Sequence, residues 1–221
     1  MIDLWTTLTP ILLADVVNPV LFAFMVYAAG AGRPALNSSM LLLGHTAAYL
    51  AAGFVVALGI EKMSDRLANP HSIDFAIGLV VGLLLLWVGW RSTRPQQKRE
   101  PEASGLLTPA KAFGLGAVVN FVGIPFALPY FAAIDQMLKA DLATDGAVLT
   151  LVAYNVLYAL PFVVVPALIV ALGERSRPIL ERINGVLERI SGVLMPLLLL
   201  LIGLALIADA ITYFVTGEGL V

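Results

Sequence analysis

The chain has 221 residues, of which 60% are hydrophobic and 13% charged, with a mean hydropathy of +0.93. A soluble domain of that size cannot hide so much apolar surface, so composition assigns the chain to the membrane. Its net charge of −2 gives no sign of nucleic-acid binding, and the lack of cysteine excludes disulfides, thiolate metal sites and thiol relays.

Six apolar stretches predict an all-α protein of six transmembrane helices, each needing about 20 residues. Asp3 and the absence of Lys or Arg before the first apolar run argue against the basic start of a cleavable signal peptide. The first predicted helix covers 8–29 and ends at Gly32, Arg33 and Pro34. The second covers 37–59, followed by a polar loop of Glu61, Lys62, Asp65, Arg66, Asn69 and Pro70. The third covers 73–90. A hydrophilic stretch at 91–102, rich in Pro, Gln and charge, reads as a flexible linker. The fourth helix is predicted at 110–134, the fifth at 147–172 and the sixth at 191–215. Between the last two, Ile179, Leu180, Ile183, Val186, Leu187 and Ile190 recur at helical spacing, opposite Glu181, Arg182, Glu188 and Arg189. That pattern predicts an amphipathic helix on the membrane surface near 176–190, the alternative being a solvated extension of the sixth helix.

Ten of the 13 basic residues fall in the first, third and fifth loops: Arg33; Arg91, Arg94, Lys98, Arg99 and Lys111; Arg175, Arg177, Arg182 and Arg189. Lys62, Arg66 and Lys139 lie on the other side. Positive loops stay in the cytoplasm, so both termini are expected outside a bacterial inner membrane, with linker 91–110 inside.

Val16-Val17-Asn18 recurs as Val118-Val119-Asn120, an offset of 102. Ala47-Ala48-Tyr49 answers Val152-Ala153-Tyr154 at 105, and Gly78 to Gly89 answers Gly192 to Gly203 at 114. The rising offsets suit a duplication with small insertions. The halves are then 1–90 and 111–221, and an odd number of spans in each makes the two repeats inverted in the membrane.

The segment LADVVNPVLFAF (13–24) resembles the opening motif of the lysine-exporter superfamily, which includes LysE, CcdA and GAP. ALPYFAAIDQML, AYNVLYALPFVVVP and ERSRPILERINGVLERISGVLMPLLLLLIG are most similar to the second half of the GAP family, proteins linked to export of cell-envelope lipids in actinobacteria. The resemblance implies six spans and export. CcdA-like electron carriage needs paired cysteines, which are absent. Metal-exporting branches usually carry Cys or His clusters, whereas this chain has only His45 and His71, so no metal or cofactor is expected.

Polar residues within the spans are the candidate site. Asp15 is midway along the first helix, with Asn18 and Pro19 on the same face. An ionised Asp there costs about 2.5–3.5 kcal/mol on insertion scales, so it is expected to face a cavity or carry a proton. Asp15 and His45 are the proton-coupling candidates. Asn18, Pro19, Asn120, Pro125, Tyr49, Tyr154, Asn155 and Tyr158 are the substrate-binding candidates: amides, hydroxyls and carbonyls freed by proline. Structural roles compete for each, as a backbone cap, a kink or a helix-helix hydrogen bond. No Lys or Arg is predicted within a span interior. The expectation is therefore a secondary, proton-coupled exporter of a small cationic, zwitterionic or amphiphilic solute or lipid, with bilayer and substrate as its partners and a homodimer as its assembly. The alternative is a membrane-embedded assembly or scaffold protein. An enzyme is not expected, since no His-Glu-x-x-His motif, Gly-x-Ser-x-Gly elbow or close carboxylate pair occurs.

Overall fold

The computed structural model describes residues 2–68, 72–92, 107–122, 128–140, 142–217 and 219. It is 93% helical, and no strand occurs among the described residues. The elements are α1 (Ile2–Val16), α2 (Pro19–Ala29), α3 (Pro34–Ala68), α4 (Ser72–Ser92), α5 (Pro109–Val122), α6 (Leu128–Lys139) and α7 (Thr144–Ala159). A 3₁₀ turn (Leu160–Val163), α8 (Val164–Leu172), a second 3₁₀ turn (Gly173–Ser176) and α9 (Arg177–Thr216) follow.

Among the described residues, three stretches are apolar and long enough to cross a membrane: Pro34–Gly59, Thr144–Ile190 and Leu199–Thr216. The bent pair α1 and α2 adds a fourth, and Phe75–Arg91 is a shorter apolar run. These helices mark a membrane-embedded protein.

The first predicted span is two helices, bent by 50°. Pro19 dictates the break. A proline pushes the preceding residue out of the helical region and brings no N–H of its own. Asn18 accordingly sits at φ −115° and ψ 91°, and its side-chain Oδ1 accepts a hydrogen bond from the Leu21 N–H at 3.0 Å. Asn18 is thus the N-cap of α2, with Pro19 at the first helical position.

The polar segment after Gly59 is helical to Ala68 instead of a loop. Glu61, Lys62, Met63, Arg66 and Leu67 are good helix formers, and Pro70 is the first proline after Pro34. The predicted fifth helix is interrupted at Leu160–Val163, where Pro161 cannot donate to the preceding turn. Residues 177–190 and the sixth apolar run form one 40-residue helix, α9, with no break at 190.

Contacts divide the chain into two units. Unit 1 is Met1–Glu61 with Glu100–Glu188, and unit 2 is Lys62–Arg99 with Arg189–Val221. Within unit 1, α1 packs on α6 and α7, and α2 packs on α5 and α8. Since α1 meets α6 while α2 meets α5, the α1–α2 rod runs antiparallel to the α5–α6 pair. Glycine permits the closest approach: a Cβ on Gly44 would collide with the Phe113 carbonyl, and one on Gly116 with the Leu41 carbonyl, so α3 and α5 cross backbone to backbone. Within unit 2, α4 and α9 cross where Gly82 and Gly203 face each other, and Phe75 stacks on Tyr213 with ring centroids 3.8 Å apart.

Candidate functional site

Asp15 is in the last turn of α1, directly before the break, and is 1% exposed. It has no room to reach water. Two tyrosines hold it: Tyr49 of α3 donates to Oδ1 at 2.8 Å, and Tyr154 of α7 donates to Oδ2 at 3.0 Å. A carboxylate at a helix C-terminus also faces the negative end of the helix dipole. The position therefore favours a bound positive charge or a proton.

Tyr158 lies one helical turn beyond Tyr154 and engages the other side of the break. Its hydroxyl accepts a hydrogen bond from Asn18 Nδ2 at 3.1 Å and is 3.3 Å from His45 Nε2. With Asn18 donating, the hydroxyl's own proton is free for Nε2. Asn18 thereby bridges two tasks, capping α2 with its oxygen and tying the break to α7 with its nitrogen.

Asn120 is in α5, not at a helix cap. Its Nδ2 donates to the His45 carbonyl at 3.2 Å and to the Ala117 carbonyl at 3.2 Å. The two asparagines of the repeated tripeptide therefore meet at His45, one through the backbone carbonyl and one through Tyr158. Asn155 donates to the Tyr130 hydroxyl and to the Leu151 carbonyl, each at 2.8 Å. The Oδ1 atoms of Asn120 and Asn155 are buried and accept no hydrogen bond from the described residues. Together with Asp15 they make this centre richer in acceptors than in donors.

Aromatic rings close the cluster. Tyr49 stacks on Tyr130 at 4.0 Å between centroids and on His45 at 5.3 Å, while Tyr130 faces Tyr154 at 5.6 Å. Offset and tilted rings at these separations attract each other and exclude water from the carboxylate.

Asp15, Tyr49, Tyr154 and, through Tyr130, Asn155 thus form one hydrogen-bonded set of unit 1, and Asn18, His45, Asn120 and Tyr158 form a second, the two meeting where the His45 and Tyr158 rings lie against Tyr49. Pro19 shapes the break without a polar contact of its own. Pro125 and Gly123 lie outside the described residues. Tyr130 escaped the sequence reading, although its hydroxyl donates to the Tyr49 carbonyl at 3.1 Å. The signal was its place with Ala133, Ile134 and Met137 on one buried face of α6, at intervals of three and four. Gly53, whose Cβ would collide with the Tyr130 hydroxyl, went unnoticed for the same reason.

A family model described as Sap, sulfolipid-1-addressing protein matches residues 8–212. No curated protein and no solved structure matches the chain.

Proposed function

The chain belongs to the Sap, sulfolipid-1-addressing protein family, and from that membership we propose that it is a secondary transporter exporting a lipid, driven by a proton that binds Asp15. The observation that carries this is the buried Asp15, clasped by Tyr49 and Tyr154 where the first spanning rod breaks. Interrupted spans with polar groups at the break are how many transporters build a site at membrane depth. An acceptor-rich centre suits the coupling cation. A sulfated or otherwise anionic headgroup is poorly matched to it, so such a lipid keeps its headgroup away from Asp15 while its chains follow the apolar faces of the helices.

The proposal includes two inverted three-helix repeats and membership of the lysine-exporter superfamily. The antiparallel pairing of α1–α2 with α5–α6 supports the repeat. Basic loops support an inner-membrane orientation with both termini outside and linker 91–110 in the cytoplasm.

The test is reconstitution of the whole chain in proteoliposomes carrying a sulfated glycolipid in one leaflet and an imposed pH gradient. Gradient-dependent movement of the lipid to the other leaflet is expected. Lipid movement no faster than in protein-free vesicles, across gradients of either sign, would favour the scaffold alternative.

A further inference from the structure

The sequence offsets between the halves assign each position a counterpart. In unit 2, taken alone, the offset of 114 pairs Gly82 with Pro196, Leu86 with Leu200 and Gly89 with Gly203. A Cβ on Gly82 would lie 2.9 Å from the Gly203 carbonyl oxygen, and one on Gly89 would lie 3.3 Å from the Pro196 carbonyl oxygen. A Cβ on Gly203 would meet Leu86 Cδ2 at 3.0 Å, and one on Gly89 would meet Leu200 Cγ at 3.2 Å. Each contact recurs with the counterparts exchanged. That is the signature of a two-fold relation, in which residue i meets the mate of j while j meets the mate of i.

Unit 1, taken alone, follows the same exchange. Asn18 of the first half bonds to α7, and its counterpart Asn120 bonds to α3. Tyr49 and Tyr154 are counterparts at the offset of 105, and they hold opposite oxygens of one carboxylate. That carboxylate has no mate: the counterpart of Asp15, at the offset of 102, is Ala117. A single acceptor therefore lies between two equivalent donors, one from each half.

We infer that Tyr49 and Tyr154 are alternative holders of Asp15, and that the state described here, with both engaged, is the closed intermediate between them. Opening toward one side of the membrane keeps Tyr49 on the carboxylate and releases Tyr154; opening toward the other side does the reverse. Equivalent donors make the two open states close in energy, as a rocking transporter requires, and the lone Asp15 prevents both halves from being satisfied once they part. The inference rests on the transporter reading above, but its readout is conformational and does not need transport.

The chain's lack of cysteine makes the test direct. Ser38 near the start of α3 and Thr150 in α7 are both buried here, at ends of the bundle that the proposed topology places on opposite sides. Each is replaced singly by cysteine, and labelling by a membrane-impermeant maleimide is followed from either face of oriented vesicles. Tyr49→Phe and Tyr154→Phe retain the ring and its stacking while removing the hydroxyl. The expected result is opposite shifts: one variant raises labelling at Ser38→Cys relative to Thr150→Cys, and the other lowers it. One lost hydroxyl contact in a membrane interior changes such a ratio about threefold on average and by roughly twentyfold at most. Adding Asp15→Ala to either variant leaves the remaining tyrosine no acceptor and should abolish its shift. Shifts in the same direction, no shift in either variant, or shifts that persist with Asp15→Ala would overturn the inference. Tyr130→Phe, which removes a hydroxyl that does not touch Asp15, controls for general loosening. Opposite shifts without lipid movement would sink the transporter reading and leave the exchange standing, whereas lipid movement with parallel shifts would do the opposite.

Discussion

At the residue scale, the protein concentrates its few polar side chains about the break. Asp15, Asn18, His45, Tyr49, Asn120, Tyr154, Asn155 and Tyr158 were legible in the sequence because a polar group inside an apolar span needs a partner or a role. Their partners were not legible, because two residues such as Asn18 and Tyr158 lie 140 positions apart. Tyr130 was missed since a tyrosine on an apolar helical face reads as packing. Its hydroxyl both accepts from Asn155 and donates to the Tyr49 carbonyl. Tyr130→Phe removes both contacts and is expected to cost about 0.6 kcal/mol, and about 1.7 at most, for each interior hydrogen bond lost. Thermal unfolding in detergent checks this, and an unchanged midpoint would show that the Asn155 amide finds another acceptor. Asn18→Ala removes the cap of α2 together with the link to Tyr158. Loss of the cap alone is expected to destabilise by about 1 kcal/mol, so Asn18→Ser, which keeps an uncharged capping oxygen, should recover part of the loss in the same assay.

At the scale of the elements, proline and glycine decide where rods break and where they touch. The break at Pro19 and the interruption at Pro161 follow from chemistry visible in the sequence, whereas the continuity of α3 beyond Gly59 does not follow from hydropathy. Charged residues end an apolar run without ending a helix. The crossing of α3 and α5 was hidden for a different reason: glycines are common in membrane helices, and the sequence does not mark which ones face a neighbour's backbone. Gly116 does, and Gly114 has open space where a Cβ would go. Gly116→Ala is expected to push α5 off the Leu41 carbonyl at a cost of about 1–3 kcal/mol or more. Gly114→Ala should stay within about 0.5 kcal/mol of the parent. Equal melting temperatures for the two variants would contradict the close approach.

For the whole molecule, the tripeptide Val-Val-Asn at 16–18 and 118–120 marks the two rods that unit 1 pairs antiparallel. The family match over residues 8–212 adds a connection with lipids that no single residue declares. What joins these scales is one claim: a carboxylate sealed between Tyr49 and Tyr154 couples a proton to the movement of a lipid. The most direct measurement is proton entry into proteoliposomes during sulfated-glycolipid movement, for the parent chain and for Asp15→Asn. The substituted amide is nearly the same size as the carboxyl group and can still accept from one tyrosine, so the fold should persist, as a monodisperse elution profile would verify. The account predicts that the parent moves protons with lipid and that Asp15→Asn loses the coupled proton flux by at least about tenfold, equivalent to about 1.4 kcal/mol. Undiminished, lipid-dependent proton flux in a well-folded Asp15→Asn protein would contradict it.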